Sequence, residues 1–345
     1  MGSVIPSGLN RTQSTTIQPF NLTNEGLYND LVKFARLSSA AYCISTIDGV
    51  EEGKLNEGCT DNSCTQAEDD IVVVDVIDSL SHALIMVQDS TKQLIIDFEG
   101  STTIIDWIID FKYELVAFES YGSTKGLDVV GINATNPTVH EGYQKVSQNF
   151  FKHGFAKLEK LFEQYPDYQL VLTGHSLGGA LSSLVGVQLY LMGYKPAIVT
   201  YASTKVFGAS FAEWIDQEFH TKDYVSRLQQ NDVSRIEAGT ITRVFHNGDV
   251  IATLPAASVG YAHVGSEFYI HKTSLPHEID SVQIRGSFYA GYENQQMGAL
   301  LINWRPMLAN FFKDMYVLGP HARYFGNIAT CTPAAQFAQL LGFEY

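Results

Sequence analysis

The sequence predicts an α/β fold in which a mainly parallel central sheet is covered by helices on both faces. Two observations support this prediction. Short apolar runs with strand character alternate with longer segments of helical periodicity, and one such run leads through a glycine-rich turn into a helical segment. With 345 residues, 45% of them hydrophobic, the chain is long enough to bury one large core.

The elements follow in chain order. Residues 1–24 are polar and irregular, which predicts an extended arm before a single domain over residues 25–345. Strands are predicted at 71–74, 83–87, 93–98, 168–173, 197–201 and 241–245, with a late hairpin at 267–270 and 281–284. Helices are predicted at 25–43, 141–165, 180–191, 209–219 and around 300–312, and a loop at 220–239.

Charge and cysteine usage bound the class of protein. The formal net charge of −15 argues against nucleic-acid binding, which needs basic patches. No apolar run reaches the roughly 20 residues of a transmembrane segment, and residues 1–6 lack the pattern of a signal peptide. The chain is therefore expected to be either cytosolic or a mature form with an added Met. The even count of four cysteines and the sequons at Asn10, Asn21 and Asn133 favour the second, a secreted, extracellular glycoprotein.

Cys59 and Cys64 lie close together in a polar segment that suits a small disulfide loop. A zinc site built on these two residues is the alternative. It is disfavoured because no second pair of Cys or His residues has ligand spacing. We therefore expect no metal and no cofactor.

The turn Gly174–Gly179 is the most informative segment, because it fits Gly-x-Ser-x-Gly between a predicted strand and a predicted helix. A serine on such a turn projects its hydroxyl above the sheet edge. Gly174 and Gly178 leave room for the neighbouring backbone, and the helix N-terminus favours a developing oxyanion. The pattern predicts that Ser176 is a nucleophile. The alternative is an ordinary glycine-rich turn.

A serine nucleophile needs a histidine base that is oriented by a carboxylate, and in this kind of fold the acid and then the histidine follow the serine. Asp249 is the favoured acid because it follows a predicted strand and precedes an apolar segment. Asp216, Asp223 and Asp232 lie in weaker contexts, and an ordinary turn role for Asp249 stays open.

For the base, the spacing favours His321 over His263 without excluding the latter. His175 adjoins the serine, but the geometry of the turn points its side chain away, which favours a packing or hydrogen-bonding role.

The chain resembles the fungal class 3 triacylglycerol lipases, which are α/β-hydrolases, from about residue 27 to its C-terminus. The resemblance depends on blocks that occur in the family's order. These blocks are Leu37–Cys43, Phe98–Trp107, Val139–Tyr143, Thr173–Ala180, Gly248–Pro255 and His321–Gly326.

The resemblance implies a catalytic triad of Ser176, Asp249 and His321, and so favours His321 over His263. It also implies an oxyanion hole made by the backbone N–H groups of Ser101 and Leu177. Finally, it implies the disulfides Cys43–Cys331 and Cys59–Cys64, and secretion.

Three features depart from the family pattern. Glu99 stands where the family usually has arginine before the oxyanion glycine, and Ala202–Lys205 replace a Gly-x-Pro-Arg segment. The separation between Asp249 and His321 is long and includes residues 272–310, which the sequence patterns do not assign. These departures keep the substrate preference from being transferred.

A helix directly after Ser101 is predicted to form a lid. Its apolar residues cover most of the helix surface, wider than the single face that a soluble surface helix buries. The apolar set includes Ile104, Ile105, Trp107 and Ile108. The alternative is a helix that is buried on most sides.

The predicted function is a secreted triacylglycerol lipase that hydrolyses acylglycerol esters at an oil–water interface by an acyl-enzyme mechanism. The first alternative is an esterase for small or aromatic esters, such as a feruloyl-type enzyme. The alternative from another class is a catalytically silent lipid-binding protein, which the complete set of Ser, His and Asp disfavours.

Overall fold

The computed structural model describes residues 18–44, 52–58, 61–101, 113–121, 136–286, 319–328 and 330–331. The strands of this part are β1 Phe20–Asn21, β2 Gly53–Lys54, β3 Ile71–Ile77, β4 Ala83–Gln88, β5 Gln93–Phe98, β6 Leu115–Ala117, β7 Thr138–His140, β8 Gln169–His175, β9 Ala197–Tyr201, β10 Phe207–Gly208, β11 Ile241–His246, β12 Tyr261–Ala262, β13 Ser266–Ile270, β14 Val282–Gly286, β15 Arg323–Tyr324 and β16 Gly326–Asn327.

The α-helices of the same residues are α1 Glu25–Ala40, α2 Leu55–Gly58, α3 Asn62–Thr65, α4 Glu141–Gln164, α5 Leu177–Leu191, α6 Ala209–Glu218 and α7 Thr221–Gln229. Short 3₁₀ turns lie at Ala41–Cys43, Ile251–Thr253, Ala257–Val259 and Ile279–Ser281. Helices α1 and α4 each begin at a residue whose side chain caps the helix N-terminus. The Asn24 side chain accepts from the Leu27 N–H at 3.1 Å, and His140 accepts from the Gly142 N–H at 3.0 Å.

A ten-stranded sheet forms the centre of the fold, in the order β1-β14-β13-β11-β9-β8-β5-β4-β3-β2. The five central strands β13, β11, β9, β8 and β5 are parallel to their neighbours within this group. The strands added at either side pair antiparallel. The predicted α/β fold with a mainly parallel central sheet is confirmed, and the antiparallel strands are confined to its edges.

Helices cover both faces of this sheet. Val171 and Val199 point to one face and pack in a cluster with residues of α1. Their sequence neighbours Leu172 and Ile198 point to the other face and pack with residues of α4 and α5. Because successive side chains of a strand point to opposite faces, two covered faces require continuous apolar strands such as β8 and β9.

Two smaller sheets complete the described part. The strands β12, β10, β7 and β6 form a four-stranded antiparallel sheet in that order. The strands β15 and β16 form a short hairpin directly after His321.

The predicted loop at 220–239 is wrong over its first half, because α7 occupies Thr221–Gln229. Its buried residues Tyr224, Val225 and Leu228 lie on one helix face and belong to the same cluster as α1. The remaining positions of α7 are mostly polar, so the sequence pattern of the segment did not indicate a helix with a narrow apolar face. Contact with the sheet, rather than the composition of the segment, makes it helical.

The predicted arm ends in the sheet. Phe20 pairs with Ile284 of β14, and the Leu22 N–H donates to the Val282 carbonyl at 2.9 Å. Residues 1–17 lie outside the described residues, so the extent of the arm and the domain boundary at residue 25 stay predictions.

Several other predictions fall outside the described residues. They are the helix around 300–312, most of the stretch 272–310, the lid residues Ile104, Ile105, Trp107 and Ile108, the partner Cys59 of the second disulfide, and the sequons at Asn10 and Asn133. Asn21 is described and exposed. Within the described ranges, none of the helices has the length and apolarity that crossing a membrane would require.

Candidate active site

Ser176 lies on a sharp turn between β8 and α5. Its backbone has φ 58° and ψ −120°, a conformation that costs a non-glycine residue on the order of 1–3 kcal/mol. The turn is tied down because the Ser176 N–H donates to the Tyr201 carbonyl at 2.8 Å. Helix α5 begins at Leu177, three residues earlier than the sequence predicted, so the hydroxyl of Ser176 stands at its N-terminus.

The glycines of this turn are required by close backbone contacts. A Cβ atom on Gly174 would lie 2.5 Å from the carbonyl carbon of Gly178. A Cβ atom on Gly178 would lie 2.0 Å from the Phe98 carbonyl oxygen at the end of β5. Neither site has room for a side chain, which explains the Gly-x-Ser-x-Gly pattern physically.

His321 lies beside Ser176. Its Nε2 atom is 2.9 Å from the Ser176 Oγ atom, and its Nδ1 atom is 3.0 Å from each carboxylate oxygen of Asp249. The structure therefore brings together the three residues that the resemblance implied. A hydroxyl, an imidazole and a carboxylate in this order form the arrangement that general-base activation of a serine requires.

Asp249 is held in place from several sides. It follows β11 through a turn in which Gly248 has φ 86°, and it is 1% exposed. Its Oδ1 atom accepts from the N–H groups of Ile251 and Ala252 at 3.0 and 3.2 Å. Its Oδ2 atom accepts from the Tyr324 hydroxyl at 2.6 Å. These donors fix the carboxylate against His321.

The charge of Asp249 follows from these partners. Burial by itself raises the pKa of a carboxyl group. For Asp249 the electrostatic attraction to His321 and the hydrogen bonds from His321, Tyr324 and the Ala252 N–H outweigh burial, so its pKa lies below the ordinary value. The carboxylate is therefore ionised at neutral pH and can stabilise an imidazolium.

His175 holds the main chain of His321 in place through a hydrogen bond. Its Nε2 atom lies 2.7 Å from the main-chain carbonyl of His321, and its Nδ1 atom lies 2.8 Å from the Tyr42 hydroxyl. Since a carbonyl only accepts, Nε2 carries the proton and Nδ1 accepts from Tyr42. Burial, with a smaller contribution from His321, lowers the pKa of His175 to about 3, so the ring is neutral. His175 thus has the hydrogen-bonding role that the sequence favoured.

His246 contacts the same loop from the other side. Its Nδ1 atom lies 2.9 Å from the carbonyl of Pro320, the residue before His321. Sequence reasoning assigned no role to Tyr42, His246 or Tyr324. Tyr42 and Tyr324 stood within blocks of the resemblance, which was the available signal, whereas His246 was recognisable only by its position three residues before Asp249.

His263 and Asp216, which were alternative candidates for the base and the acid, make hydrogen bonds to other residues. His263 is partly buried, and its Nε2 atom bonds the Ala252 carbonyl at 2.8 Å. Asp216 accepts from the Thr221 hydroxyl at 2.9 Å and from the Gly265 N–H at 2.7 Å. Both residues brace neighbouring loops.

The two residues of the implied oxyanion hole approach the serine from separate elements. Leu177 is the first residue of α5, and Ser101 follows the end of β5 through Glu99 and Gly100. A Cβ atom on Gly100 would lie 2.8 Å from the His175 carbonyl oxygen, so this loop runs directly against the serine turn. Ser101 is partly buried there.

Cys43 and Cys331 form a disulfide with their Cα atoms 5.2 Å apart. This bond ties the end of α1 to the segment beyond the β15–β16 hairpin, and it is the pairing that the resemblance implied. Asp61 lies near the two sulfur atoms. Sulfurs joined in a disulfide are not thiolates, so this group does not offer a thiolate metal site.

Comparison with known proteins agrees with this geometry. The family model described as "Lipase (class 3)" matches residues 95–259, a range that contains the serine turn and Asp249. The LIH1 protein of Saccharomyces cerevisiae is 28% identical over 324 residues, which cover 89% of this chain and 95% of that protein. Secreted mono- and diacylglycerol lipase 2 of Gibberella zeae is 30% identical over 195 residues, which cover 54% of this chain and 46% of that protein.

Solved structures agree on the fold. The crystal structure of the Lip2 lipase from Yarrowia lipolytica superposes with a TM-score of 0.70 at 24% identity, covering 91% of this chain and 98% of that one. A structure of the Rhizomucor miehei triacylglyceride lipase superposes with a TM-score of 0.62 at 25% identity, covering 91% and 100%. The chain has the α/β-hydrolase fold, is similar to the class 3 lipases over residues 95–259, and is a serine carboxylic-ester hydrolase.

Proposed function

We propose that the protein is a secreted acylglycerol lipase in which Ser176, His321 and Asp249 perform the hydrolysis. The observation that carries this proposal is the 2.9 Å contact between His321 Nε2 and Ser176 Oγ, with Asp249 bonded to the opposite nitrogen. Since Nδ1 donates to the carboxylate, Nε2 is left as the acceptor that a general base needs.

In the first step, Ser176 Oγ attacks the ester carbonyl carbon while its proton moves to His321 Nε2. The carbonyl oxygen becomes an oxyanion in a tetrahedral intermediate. His321 then gives the proton to the departing alcohol, and the acyl group stays on Ser176. Water repeats the sequence with His321 as base, which releases the carboxylic acid and restores the serine.

Asp249 keeps the histidine in the productive tautomer. Its carboxylate faces Nδ1 and stabilises the imidazolium that forms in each step. The lowered pKa of Asp249 suits this role, because the group must stay ionised while His321 gains a proton. Tyr324 and the Ala252 N–H prevent the carboxylate from turning away.

The oxyanion is stabilised by the N–H groups of Leu177 and Ser101. Leu177 offers the first N–H of α5, where the helix dipole adds to the effect. The loss of one such donor costs on the order of 2.7–4 kcal/mol in the transition state. The close approach of Gly100 to the serine turn supports a common location for the two donors.

The substrate class and the location draw on the relatives. A Gibberella zeae relative and a Fusarium solani relative are named secreted mono- and diacylglycerol lipases. The Cys43–Cys331 disulfide and the exposed sequon residue Asn21 fit an extracellular protein. The lid predicted at Ile104, Ile105, Trp107 and Ile108 would make the enzyme responsive to a lipid surface.

The first experiment tests the nucleophile. We expect Ser176→Ala to lower kcat on a soluble short-chain ester by at least about 10³-fold, since the serine begins every turnover. The exposed Ser226→Ala is the matched control and should keep wild-type activity. A serine-directed phosphonate should label the wild type at Ser176, as read by peptide mass spectrometry. Labelling at another residue, or most activity kept in Ser176→Ala, would overturn the proposal.

The second experiment tests the substrate class. A chain-length series from acetyl to oleoyl glycerides is compared with small aromatic esters at equal enzyme concentration. We expect higher kcat/KM for acylglycerols and a jump in rate once the substrate exceeds its solubility. Preference for aromatic esters would favour the small-ester esterase, and a smooth saturation curve would count against the lid.

A further inference from the structure

Glu99 lies directly before Gly100 and Ser101, where the family resemblance led us to expect arginine. The side chain is 5% exposed, although a carboxylate is among the groups that are most costly to bury. Its Oε2 atom lies 2.7 Å from the Nδ1 atom of His82. A buried acidic group with a specific partner at this position calls for an explanation.

His82 joins two carboxylates. While Nδ1 faces Glu99, its Nε2 atom lies 2.9 Å from Asp78 Oδ1. Each ring nitrogen of His82 thus lies within hydrogen-bond distance of one carboxyl group, so the ring bridges Glu99 and Asp78.

The same two residues are also joined through the backbone. The Glu99 N–H donates to the His82 carbonyl at 3.0 Å, one step beyond the register pair Ala83 and Phe98 of β4 and β5. Glu99 is therefore fastened to His82 by main chain and side chain. The chain leaves the sheet immediately afterwards, so this double connection is the last anchor before Ser101.

The opposite side of this anchor contacts the serine turn. A Cβ atom on Gly178 would lie 2.0 Å from the Phe98 carbonyl oxygen and 3.0 Å from the main-chain carbonyl carbon of Glu99. Gly178 directly follows Leu177. The backbone at Glu99 thus lies between His82 and the residue next to Leu177, and it sets how far Ser101 stands from the start of α5.

We propose that Glu99 and His82 form a positioning pair that sets the spacing of the Ser101 and Leu177 N–H groups. The pair touches neither the substrate nor the reacting atoms. Its side-chain and main-chain hydrogen bonds supply the rigidity that an oxyanion hole needs, since such donors act only when they are held in place beforehand. This inference rests on the proposed function in assigning those N–H groups to the oxyanion.

The test is a double-mutant cycle on a soluble short-chain ester, with Glu99→Gln, His82→Gln and the double variant. We expect each single variant to lower kcat about tenfold with KM within about twofold, because a displaced donor loses part of the 10²–10³-fold effect of a deleted one. The double variant should be no worse than either single variant, since the two residues act as one unit.

Two controls accompany the cycle. Glu57→Gln breaks the exposed pair with Lys54 and should keep wild-type kcat. Asp78→Asn, whose side chain is 85% exposed, leaves the fold intact and should lower kcat about twofold by removing one of the two carboxylates on His82. Wild-type kcat in Glu99→Gln, multiplicative losses in the double variant, or a rise in KM at constant kcat would overturn the proposal.

Hydrogen exchange separates this inference from the proposed function. In the Ser176→Ala background, the peptide that spans residues 97–101 should exchange faster after Glu99→Gln than before it. Unchanged exchange would overturn the positioning pair even if Ser176 is the nucleophile. Faster exchange together with an active Ser176→Ala variant would instead overturn the proposed nucleophile and leave the anchoring role standing.

Discussion

Asp249 and Asp97 are two carboxyl groups at nearly equal depth in the protein, with 1% and 0% exposure, yet their surroundings shift their pKa values in opposite directions. Asp249 meets His321, the Tyr324 hydroxyl and two backbone N–H groups, and its pKa is lowered. Asp97 lies in the middle of the sheet on β5, and among the described residues no donor lies within ordinary hydrogen-bond distance of either of its oxygens.

Burial raises the pKa of Asp97 well above its usual range, and the nearby Ser38 hydroxyl opposes this only in part. Asp216 is an intermediate case. Burial raises its pKa to about 6, while the Gly265 N–H and the Thr221 hydroxyl pull it down. The comparison shows that depth alone does not decide whether a carboxyl group is charged. The charges and hydrogen-bond donors that face the group decide it.

The largest expected effect is on kcat and comes from substituting Asp249, the carboxyl group whose pKa is lowered. Asp249→Asn should lower kcat by about 10³–10⁴-fold, because the amide favours the wrong tautomer of His321 and cannot stabilise its charged form. The measurement is kcat on a soluble ester, with circular dichroism to check the fold. Asp232→Asn, at an exposed carboxylate paired with Arg227, is the control and should be active. A loss below tenfold would contradict the role of Asp249.

The second largest effect is expected at Asp97, the carboxyl group whose pKa is raised, and it concerns the free energy of unfolding. Because the folded-state pKa of Asp97 lies above its unfolded value, the folded protein keeps a proton that the unfolded chain loses. The free energy of unfolding should therefore fall as the pH rises from about 4 toward the folded-state pKa, by about 1.4 kcal/mol per pH unit from this group.

Asp97→Asn removes this contribution. Urea unfolding of the wild type and the variant at pH 4.5, 5.5 and 6.5 measures it. The difference in the free energy of unfolding should shift in favour of the variant with each increase in pH. Parallel pH dependence of the two proteins would show that Asp97 is ionised in the fold, which would break the comparison with Asp249.

The smallest effect concerns one donor of Asp249. Tyr324→Phe should lower kcat about tenfold, near the low end for a hydrogen bond to a charged group. Since the hydroxyl helps to lower the pKa of Asp249, the acidic limb of the pH–activity profile should move to higher pH. Tyr190→Phe, at a hydroxyl that contacts Glu218, is the matched control. An unmoved acidic limb would show that the other donors of Asp249 suffice.

Local pattern was enough to predict much of this protein. The apolar runs of β8 and β9 predicted buried central strands, and the turn at Ser176 was predicted from two glycines whose contacts leave no room for a side chain. Helix α7 was missed because its stripe of Tyr224, Val225 and Leu228 is narrow and becomes an apolar face only against the rest of the core. Local composition indicates the intrinsic helix propensity of a segment, whereas packing against the core decides whether the segment forms a helix.

The residues of the candidate site also fall into those that could be predicted from the sequence and those that could not. Ser176 followed from the turn that carries it, and the resemblance implied Asp249 and His321. The roles of Tyr42, His246 and Tyr324 were not predicted, although Tyr42 and Tyr324 stood within blocks of the resemblance, because each acts through a partner that is far away in sequence. For the same reason the partner of Glu99, which is His82 directly before the neighbouring strand β4, was not predictable.

Apolar periodicity and glycine sterics act over a few residues, and for that reason local patterns were enough to predict the α/β fold class, the parallel central strands and the serine turn. The folded structure was needed to show how the pKa values of the buried carboxyl groups shift and what holds Asp249, His321 and the loop before Ser101 in place. Those properties depend on donors and charges that come within 3 Å from distant parts of the chain, and the electrostatics of buried groups are set at that distance.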